Sequence, residues 1–61
     1  MIWHVGTMEL VERAYEAANR EEAIQQFVKD GGFSCIEDAA AAEVMDVEEY
    51  RQSLIVRREE L

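Results

Sequence analysis

The sequence contains no proline, three glycines, one cysteine and one histidine. A disulfide needs two cysteines and a structural zinc site needs four cysteine or histidine ligands, so neither can be built within one chain. A chain of 61 residues buries only about 60% of its unfolded surface, and its core is thin. Because small domains often compensate by self-association, we expect a homodimer. The lone thiol of Cys35 fits a reducing compartment, which predicts a cytoplasmic protein.

Long hydrophobic runs are also missing. No apolar stretch approaches the roughly 20 residues that a membrane helix needs, and Met1–Val5 lacks the basic start of a signal peptide. The hydrophobic fraction of 49% and the charged fraction of 33% are typical of globular proteins. The sequence therefore predicts one folded domain over residues 1–61 with no membrane contact.

Groupings of catalytic residues are absent as well. There is no serine, histidine and acid grouping, no glycine-rich phosphate loop and no cluster of metal ligands. Cys35 lies at the first turn of a predicted helix, where the helix N-terminus could activate its thiol, but the carboxylates of Glu37 and Asp38 oppose that effect. We therefore expect Cys35 to be a buried small side chain. His4 is expected to have a surface or capping role and not to sense pH. We therefore expect no enzymatic activity, no cofactor and no bound metal.

Basic residues are absent between Lys29 and Arg51, and the net charge is −8. Seven carboxylates fall in this gap: Asp30, Glu37, Asp38, Glu43, Asp46, Glu48 and Glu49. This distribution has two interpretations. It is either a solvated surface that keeps a small domain soluble or an acidic face that binds a basic patch on a partner.

Hydrophobic spacing and capping signals predict an all-α fold, a compact bundle of three to four short helices. The predicted helices cover residues 8–18, 20–30, 35–44 and 47–60. Three capping boxes support their starts, at Asn19–Glu22, Ser34–Glu37 and Asp46–Glu49. The glycine pair Gly31-Gly32 predicts the end of the second helix.

Two points in the first half of the chain, residues 1–30, have two interpretations each. Residues 8–30 form either one continuous helix or two helices with a break at Asn19. Met1–Val5 forms either a short strand or a hydrophobic segment that covers the core. A strand there would have nothing to pair with unless a second copy supplied it.

The second half has small, apolar and cap residues at the spacing of two helices joined by a tight turn: Ala39, Ala40, Met45, Asp46, Tyr50 and Leu54. This region of roughly 35 residues resembles a three-helix helix-turn-helix domain. The resemblance implies a supporting helix over 20–30, a second helix over 35–43 and a recognition helix from Val47 onward. Val44 departs from the pattern where glycine is common, and Glu43 departs where an apolar residue is usual.

The resemblance implies DNA binding through four residues: Arg51, Gln52, Arg57 and Arg58. DNA-binding domains are expected to be basic, because neutralised phosphates supply most of the affinity. This chain has a pI near 4.4, and Glu48 and Glu49 begin the implied recognition helix. Direct nucleic-acid binding is therefore the less favoured hypothesis.

The last predicted helix has more apolar residues than a thin core can use. Ile55 and Val56 point away from the helix face that contains Leu54. We expect them, with Tyr50 or Leu61 at the margin, to contact a second copy or a foreign partner. The alternative is that they are scattered surface hydrophobes.

These observations predict a small, acidic regulator or inhibitor that binds a basic surface of a protein partner. Its acidic face would consist of Glu37, Asp38, Glu43, Glu48 and Glu49. In size and charge the chain resembles small accessory proteins of phages and mobile elements, including nucleic-acid mimics. The alternatives are a helix-turn-helix transcriptional regulator and a structural subunit of a larger assembly.

Overall fold

The computed structural model describes residues 1–8 and 12–59. This part of the chain contains three strands and three helices, in the order β1 (Ile2–Gly6), β2 (Arg13–Glu16), α1 (Arg20–Asp30), α2 (Ile36–Ala42), α3 (Val47–Ser53) and β3 (Ile55–Arg58). The fold is therefore α+β. The prediction of an all-α bundle is wrong, because segments that precede and follow the helices pair into one antiparallel sheet.

β1 is the central strand of this sheet. It pairs antiparallel with β2 on one side and with β3 on the other. Trp3 lies opposite Tyr15, and Val5 lies opposite Val56. Of the two interpretations of the first residues, the strand is therefore right, and the same chain supplies both of its partners.

The predicted helix over residues 8–18 is wrong, since Arg13–Glu16 forms β2. Residues 9–11 of that prediction lie outside the described residues. The helical spacing depended largely on alanines, which bury little area and fit the helical period of about 3.6 residues as well as the strand period of two. Tyr15, a strong strand former, instead places its ring edge-on to Phe27 with 6.4 Å between centroids. A packed aromatic side chain outweighs the weak preference of the alanines.

α1 begins directly after Asn19, whose side-chain oxygen accepts a hydrogen bond from the Glu22 backbone N–H at 2.9 Å. The cap residue is extended, with φ −155° and ψ 174°. An extended residue cannot continue a helix. One helix over residues 8–30 is therefore wrong; the predicted helix start at Asn19 is confirmed, although β2 and not a second helix precedes it.

α1 ends at the glycine pair, as its sequence predicts. Gly32 has φ +95° and donates a hydrogen bond to the Lys29 carbonyl at 3.0 Å. The Phe33 N–H donates to the Val28 carbonyl at 3.1 Å. These two bonds form a Schellman motif, in which glycine takes the left-handed position without a Cβ clash.

α2 and α3 begin with different caps. Cys35 is the N-cap of α2 and has no side-chain cap bond, while the Ser34 hydroxyl donates to Asp38. The predicted capping box at Ser34 is therefore wrong. At α3 the predicted box is confirmed: Asp46 accepts from the Glu49 N–H at 2.8 Å, and the Glu49 carboxylate accepts from the Asp46 N–H at 3.4 Å.

The last predicted helix, over residues 47–60, is wrong over residues 54–59, and its residue 60 lies outside the described residues. Leu54 is extended with ψ 141°, and the chain continues as β3. Ile55 and Val56 are β-branched and favour a strand. Val56 completes the sheet opposite Val5, so long-range pairing decides the conformation that local spacing assigned to a helix.

Two groups of buried side chains form the core. The first lies among the helices and consists of Ile24, Val28, Ala39, Ala40, Tyr50 and Leu54. The second lies between α1 and the sheet and consists of Val5, Ala17 and Ala23. Phe27 and Val56 pack against both groups. The core therefore covers the sheet face of Trp3, Val5, Tyr15 and Val56, and alternation places Ile2, His4, Ala14 and Ile55 on the outer face.

Candidate protein-binding surface

Carboxylates near the sheet and α1 mostly have ion-pair partners within the chain. Four ion pairs occur among the described residues: Glu12 with Arg57, Glu16 with the N-terminal ammonium, Glu21 with Arg51, and Asp30 with Arg13. The Glu59 carboxylate lies 3.2 Å from the His4 Nε2, a contact that is an ion pair only when the imidazole is protonated. Glu22, exposed in the first turn of α1, is outside these pairs. Ion pairs thus neutralise four of the six described carboxylates on this side.

Carboxylates on α2, α3 and the turn between them are arranged differently. All six are exposed, and none forms an ion pair within the described part of the chain: Glu37, Asp38, Glu43, Asp46, Glu48 and Glu49. Hydrogen bonds to Asp38, Asp46 and Glu49 come only from a hydroxyl or from backbone N–H groups. We call the five residues predicted from the sequence, Glu37, Asp38, Glu43, Glu48 and Glu49, the acidic surface. Its charge is left for solvent or a partner to balance.

The turn between α2 and α3 has an exposed apolar residue in a strained conformation. α2 ends in a Schellman motif like that of α1: the Val44 N–H donates to Ala41 at 3.1 Å, and the Met45 N–H donates to Ala40 at 2.9 Å. Val44 takes the left-handed position with φ 56°, although it is β-branched. Its side chain is 93% exposed and Met45 is 37% exposed, so burial does not offset the strain. These two residues directly follow Glu43 of the acidic surface.

Arg51 links α3 to α1. Its two terminal nitrogens donate to the two carboxylate oxygens of Glu21, one of them at 2.6 Å. This hydrogen bonding lowers the pKa of Glu21 and raises the pKa of Arg51, and the charges of Glu48 and Glu37 raise the latter further. The guanidinium is therefore engaged within the fold and surrounded by carboxylates.

The other residues proposed for DNA binding are dispersed. Gln52 is exposed on α3, whereas Arg57 and Arg58 lie on β3. The Arg57 Nε donates to the Glu12 carboxylate at 3.1 Å. Together with Arg51, these residues therefore lie on a helix and a strand and do not share one recognition helix.

The residues proposed for an apolar interface lie in different environments. Tyr50 belongs to the core and is only 7% exposed. Val56 is half-buried and packs against both core groups. Ile55 is 43% exposed on the outer face of the sheet, and Leu61 lies outside the described residues. Ile55 is thus the member of this group that the described structure leaves on the surface.

A cavity of about 250 Å³ lies between β2, the end of α1 and the α2–α3 turn. Four aromatic residues line it: Tyr15, Phe27, Phe33 and Tyr50. We call it the aromatic cavity. Sequence reasoning missed it, because its aromatic residues come from four separate segments and share no spacing.

Charged groups lie at the aromatic cavity as well. The Arg13 Nη1 donates to the Asp30 carboxylate at 2.6 Å, and the Tyr15 hydroxyl donates to the same oxygen at 3.0 Å. These hydrogen bonds lower the pKa of Asp30. Burial raises the pKa of Tyr50, and the nearby charge of Glu43 raises it further. Of the two carboxylates that line the cavity, Glu43 is the one that forms no ion pair within the described residues.

Cys35 and His4 were also singled out in the sequence. Cys35 is exposed, so the prediction of a buried side chain is wrong; as the extended N-cap of α2 it lies outside the packed helix face. His4 lies on β1, and its Nε2 is 3.2 Å from a carboxylate oxygen of Glu59. Within the described residues no three histidine, cysteine or acidic side chains are grouped so as to hold a metal.

Comparison of the chain with protein-family models, with characterised proteins and with solved structures finds no match. None of the helices in residues 1–8 and 12–59 has the length and apolar character needed to cross a membrane. Evidence for the function of this chain therefore comes from its own residues.

Proposed function

We propose that the protein is a small, acidic, non-enzymatic regulator or inhibitor whose acidic surface binds a basic surface of a protein partner. One observation supports this proposal above the others. Most described carboxylates near the sheet and α1 are paired within the chain, whereas those of the acidic surface form no described ion pair. Lysine and arginine residues of a partner would supply the missing counter-charges. If the chain acts as a nucleic-acid mimic, these residues would lie in the basic groove where the partner binds nucleic acid.

Charge alone would give this complex speed and orientation more than affinity. Complementary potentials steer encounter, but each exposed ion pair contributes only about 0–1 kcal/mol. Affinity needs an apolar contact as well. Val44 and Met45 supply one, because they are exposed and directly follow Glu43. Contact of Val44 with a partner would offset a strain that nothing described in the chain offsets.

The test compares two variants with the same change in charge. Glu37→Gln, Asp38→Asn and Glu48→Gln together remove three charges from the acidic surface. Glu16→Gln, Glu22→Gln and Glu59→Gln together remove three from the sheet and α1. Partners are cross-linked in an extract of the source organism at low salt, identified by mass spectrometry, purified and titrated against each protein.

The first triple variant should bind the identified partner about tenfold more weakly, if each lost pair contributes about 0.5 kcal/mol. The second triple variant should bind nearly as tightly as the wild type. Binding of the wild type should also weaken as ionic strength rises, because salt screens exposed charges. Equal affinities of the two triple variants would refute the proposal.

Helix-turn-helix DNA binding is the second candidate. One observation favours it: α1, α2 and α3 lie within the three ranges that the resemblance implies. The pairing of Arg51 with Glu21 and the end of α3 at Ser53 oppose it. A gel-shift titration with duplex DNA at low salt separates the two candidates, since a DNA reader must bind some duplex under those conditions.

We further propose that this function is performed in the cytoplasm. The thiol of Cys35 is exposed and the chain has no second cysteine to pair with it. A reducing compartment keeps such a thiol free.

A further inference from the structure

We propose that the aromatic cavity accepts a lysine or arginine side chain of the protein partner. This inference rests on the proposed function, because it names the group through which a basic partner would be held. It extends that function from a charged surface to a defined pocket.

The apolar walls of the aromatic cavity suit the stem of a long basic side chain. Tyr15, Phe27, Phe33 and Tyr50 line it, and Val28 and Met45 add aliphatic surface. Lysine and arginine bury their methylene groups against such walls while the charged head stays near polar groups. Aromatic rings also attract a cation placed over their faces, more strongly when water is excluded.

The charges at the cavity select a cation. Asp30 is already bound to Arg13 and to the Tyr15 hydroxyl, so this pair of charges is balanced. Glu43 lines the same cavity and forms no ion pair within the described residues, which leaves a net negative charge there. An anion would be repelled by Glu43. A neutral apolar ligand would remove water from its carboxylate without replacing the lost hydrogen bonds.

The position of the aromatic cavity connects it to the acidic surface. Glu43 belongs to both, and Met45 lines the cavity from the turn that exposes Val44. A partner that lies on the acidic surface would therefore have the cavity within reach of one side chain. The strained Val44 would stand beside that side chain and contact apolar surface of the partner.

The test uses short peptides in place of the unidentified partner. Three probes are titrated into isotope-labelled protein and followed by amide NMR: acetyl-Gly-Lys-Gly-amide, acetyl-Gly-Arg-Gly-amide and acetyl-Gly-norleucine-Gly-amide. Norleucine keeps the apolar stem of lysine and lacks its ammonium. The basic peptides should shift the amides of Phe33, Glu43 and Tyr50, and the norleucine peptide should bind several-fold more weakly.

Two variants and one control locate the effect. Glu43→Gln should weaken lysine-peptide binding about two- to tenfold, and Phe33→Leu should weaken it by about twofold or more. Glu48→Gln removes the same charge from a residue that does not line the aromatic cavity and should leave binding nearly unchanged. The amide spectrum of each variant without peptide verifies its fold.

Three results would overturn the inference: equal weakening by Glu43→Gln and Glu48→Gln, equal binding of the norleucine and lysine peptides, or shifts that avoid the cavity residues. The result of the peptide titration is independent of the result of the test with the purified partner. If the acidic-surface variant loses the partner while basic peptides leave the cavity unshifted, the proposed function stands and the pocket falls. If the peptides bind but the two triple variants retain the partner equally, the cation site stands and the acidic surface is not the docking face.

Discussion

Replacing Val44 with glycine should make the protein more stable, although the change deletes a hydrophobic side chain. A left-handed conformation costs a residue with a Cβ about 1–2 kcal/mol, and the added freedom of glycine in the unfolded chain costs about 0.5–1 kcal/mol. Because Val44 is 93% exposed, deleting its side chain loses little burial. The balance is a gain of about 0.5–1 kcal/mol in the free energy of unfolding.

This gain can be measured by urea denaturation and by thermal denaturation. For a domain of this size a gain of about 1 kcal/mol corresponds to a rise in Tm of roughly 4–8 °C. The same substitution should weaken binding to the partner, because Val44 is the exposed apolar residue of the proposed contact. Higher stability with lower affinity would support a role for the strained valine in binding.

Two controls test the reasoning about φ. Gly32 occupies the same position at the end of α1, and a Cβ there would meet no atom within 4 Å. Gly32→Ala should therefore lower stability by about 1 kcal/mol through its φ of +95° alone. Val44→Ala keeps a Cβ in the left-handed region and should gain less than Val44→Gly. A Val44→Gly protein that is no more stable than the wild type would refute the strain argument.

Three further predictions concern ion pairing, capping and self-association. Glu21→Gln should lower stability by about 0.5 kcal/mol at neutral pH. Hydrogen bonds from Arg51 hold the folded-state pKa of Glu21 below its ordinary value of 4.5, so the pair stabilises the fold above that value. The difference in stability between the variant and the wild type, measured by urea denaturation, should therefore disappear as pH falls through the folded-state pKa. Asp46→Ala removes the capping box and should lower stability by about 1 kcal/mol in thermal denaturation, whereas the control Glu48→Ala should change it by less than about 0.5 kcal/mol. Ile55→Lys places a charge on the outer face of the sheet and should convert the homodimer expected from the sequence to a monomer in light scattering.

Each of these predictions has a contrary outcome. A stability difference for Glu21→Gln that persists in acid would show that the effect does not come from its ionised carboxylate. Equal losses for Asp46→Ala and Glu48→Ala would remove the capping explanation. The same dimeric mass for the wild type and Ile55→Lys would exclude Ile55 from the contact between copies.

Helix boundaries could be predicted from the sequence where they depend on local chemistry. Asn19 caps a helix because its side chain reaches an N–H three residues away, and Gly32 ends one because it lacks a Cβ. The capping box of Asp46 is equally local. In each case the residues that determine the structure are neighbours in the sequence.

The sheet could not be predicted in this way, because its partners are far apart. Arg13–Glu16 and Ile55–Arg58 are each four residues long, too short to give a clear alternating pattern. Each becomes a strand through pairing with β1 and through a side chain, Tyr15 or Val56, that packs on the core. Local spacing therefore favoured helices where tertiary contacts favour strands.

Some features of the candidate site could likewise be predicted from the sequence, and others could not. Exposure of the five carboxylates followed from their charge and could be predicted. The pairing of Arg51 with Glu21 joins residues 30 positions apart, and the sequence gives no signal for it. The aromatic cavity likewise depends on how β2, α1 and the α2–α3 turn meet in space.

The central position of β1 has a consequence for the order of folding. The backbone hydrogen bonds of the helices join near neighbours, whereas the β1–β3 ladder joins Val5 to Val56, about fifty positions apart. Closing so long a loop carries an entropic cost that local structure does not, and folding slows as contacts become less local. We therefore expect the rate-limiting step of folding to be the meeting of β1 and β3. α2 and α3 have seven residues each, too few for a stable isolated helix, so the acidic surface would reach its final arrangement only when the core that includes Leu54 and Val56 has formed.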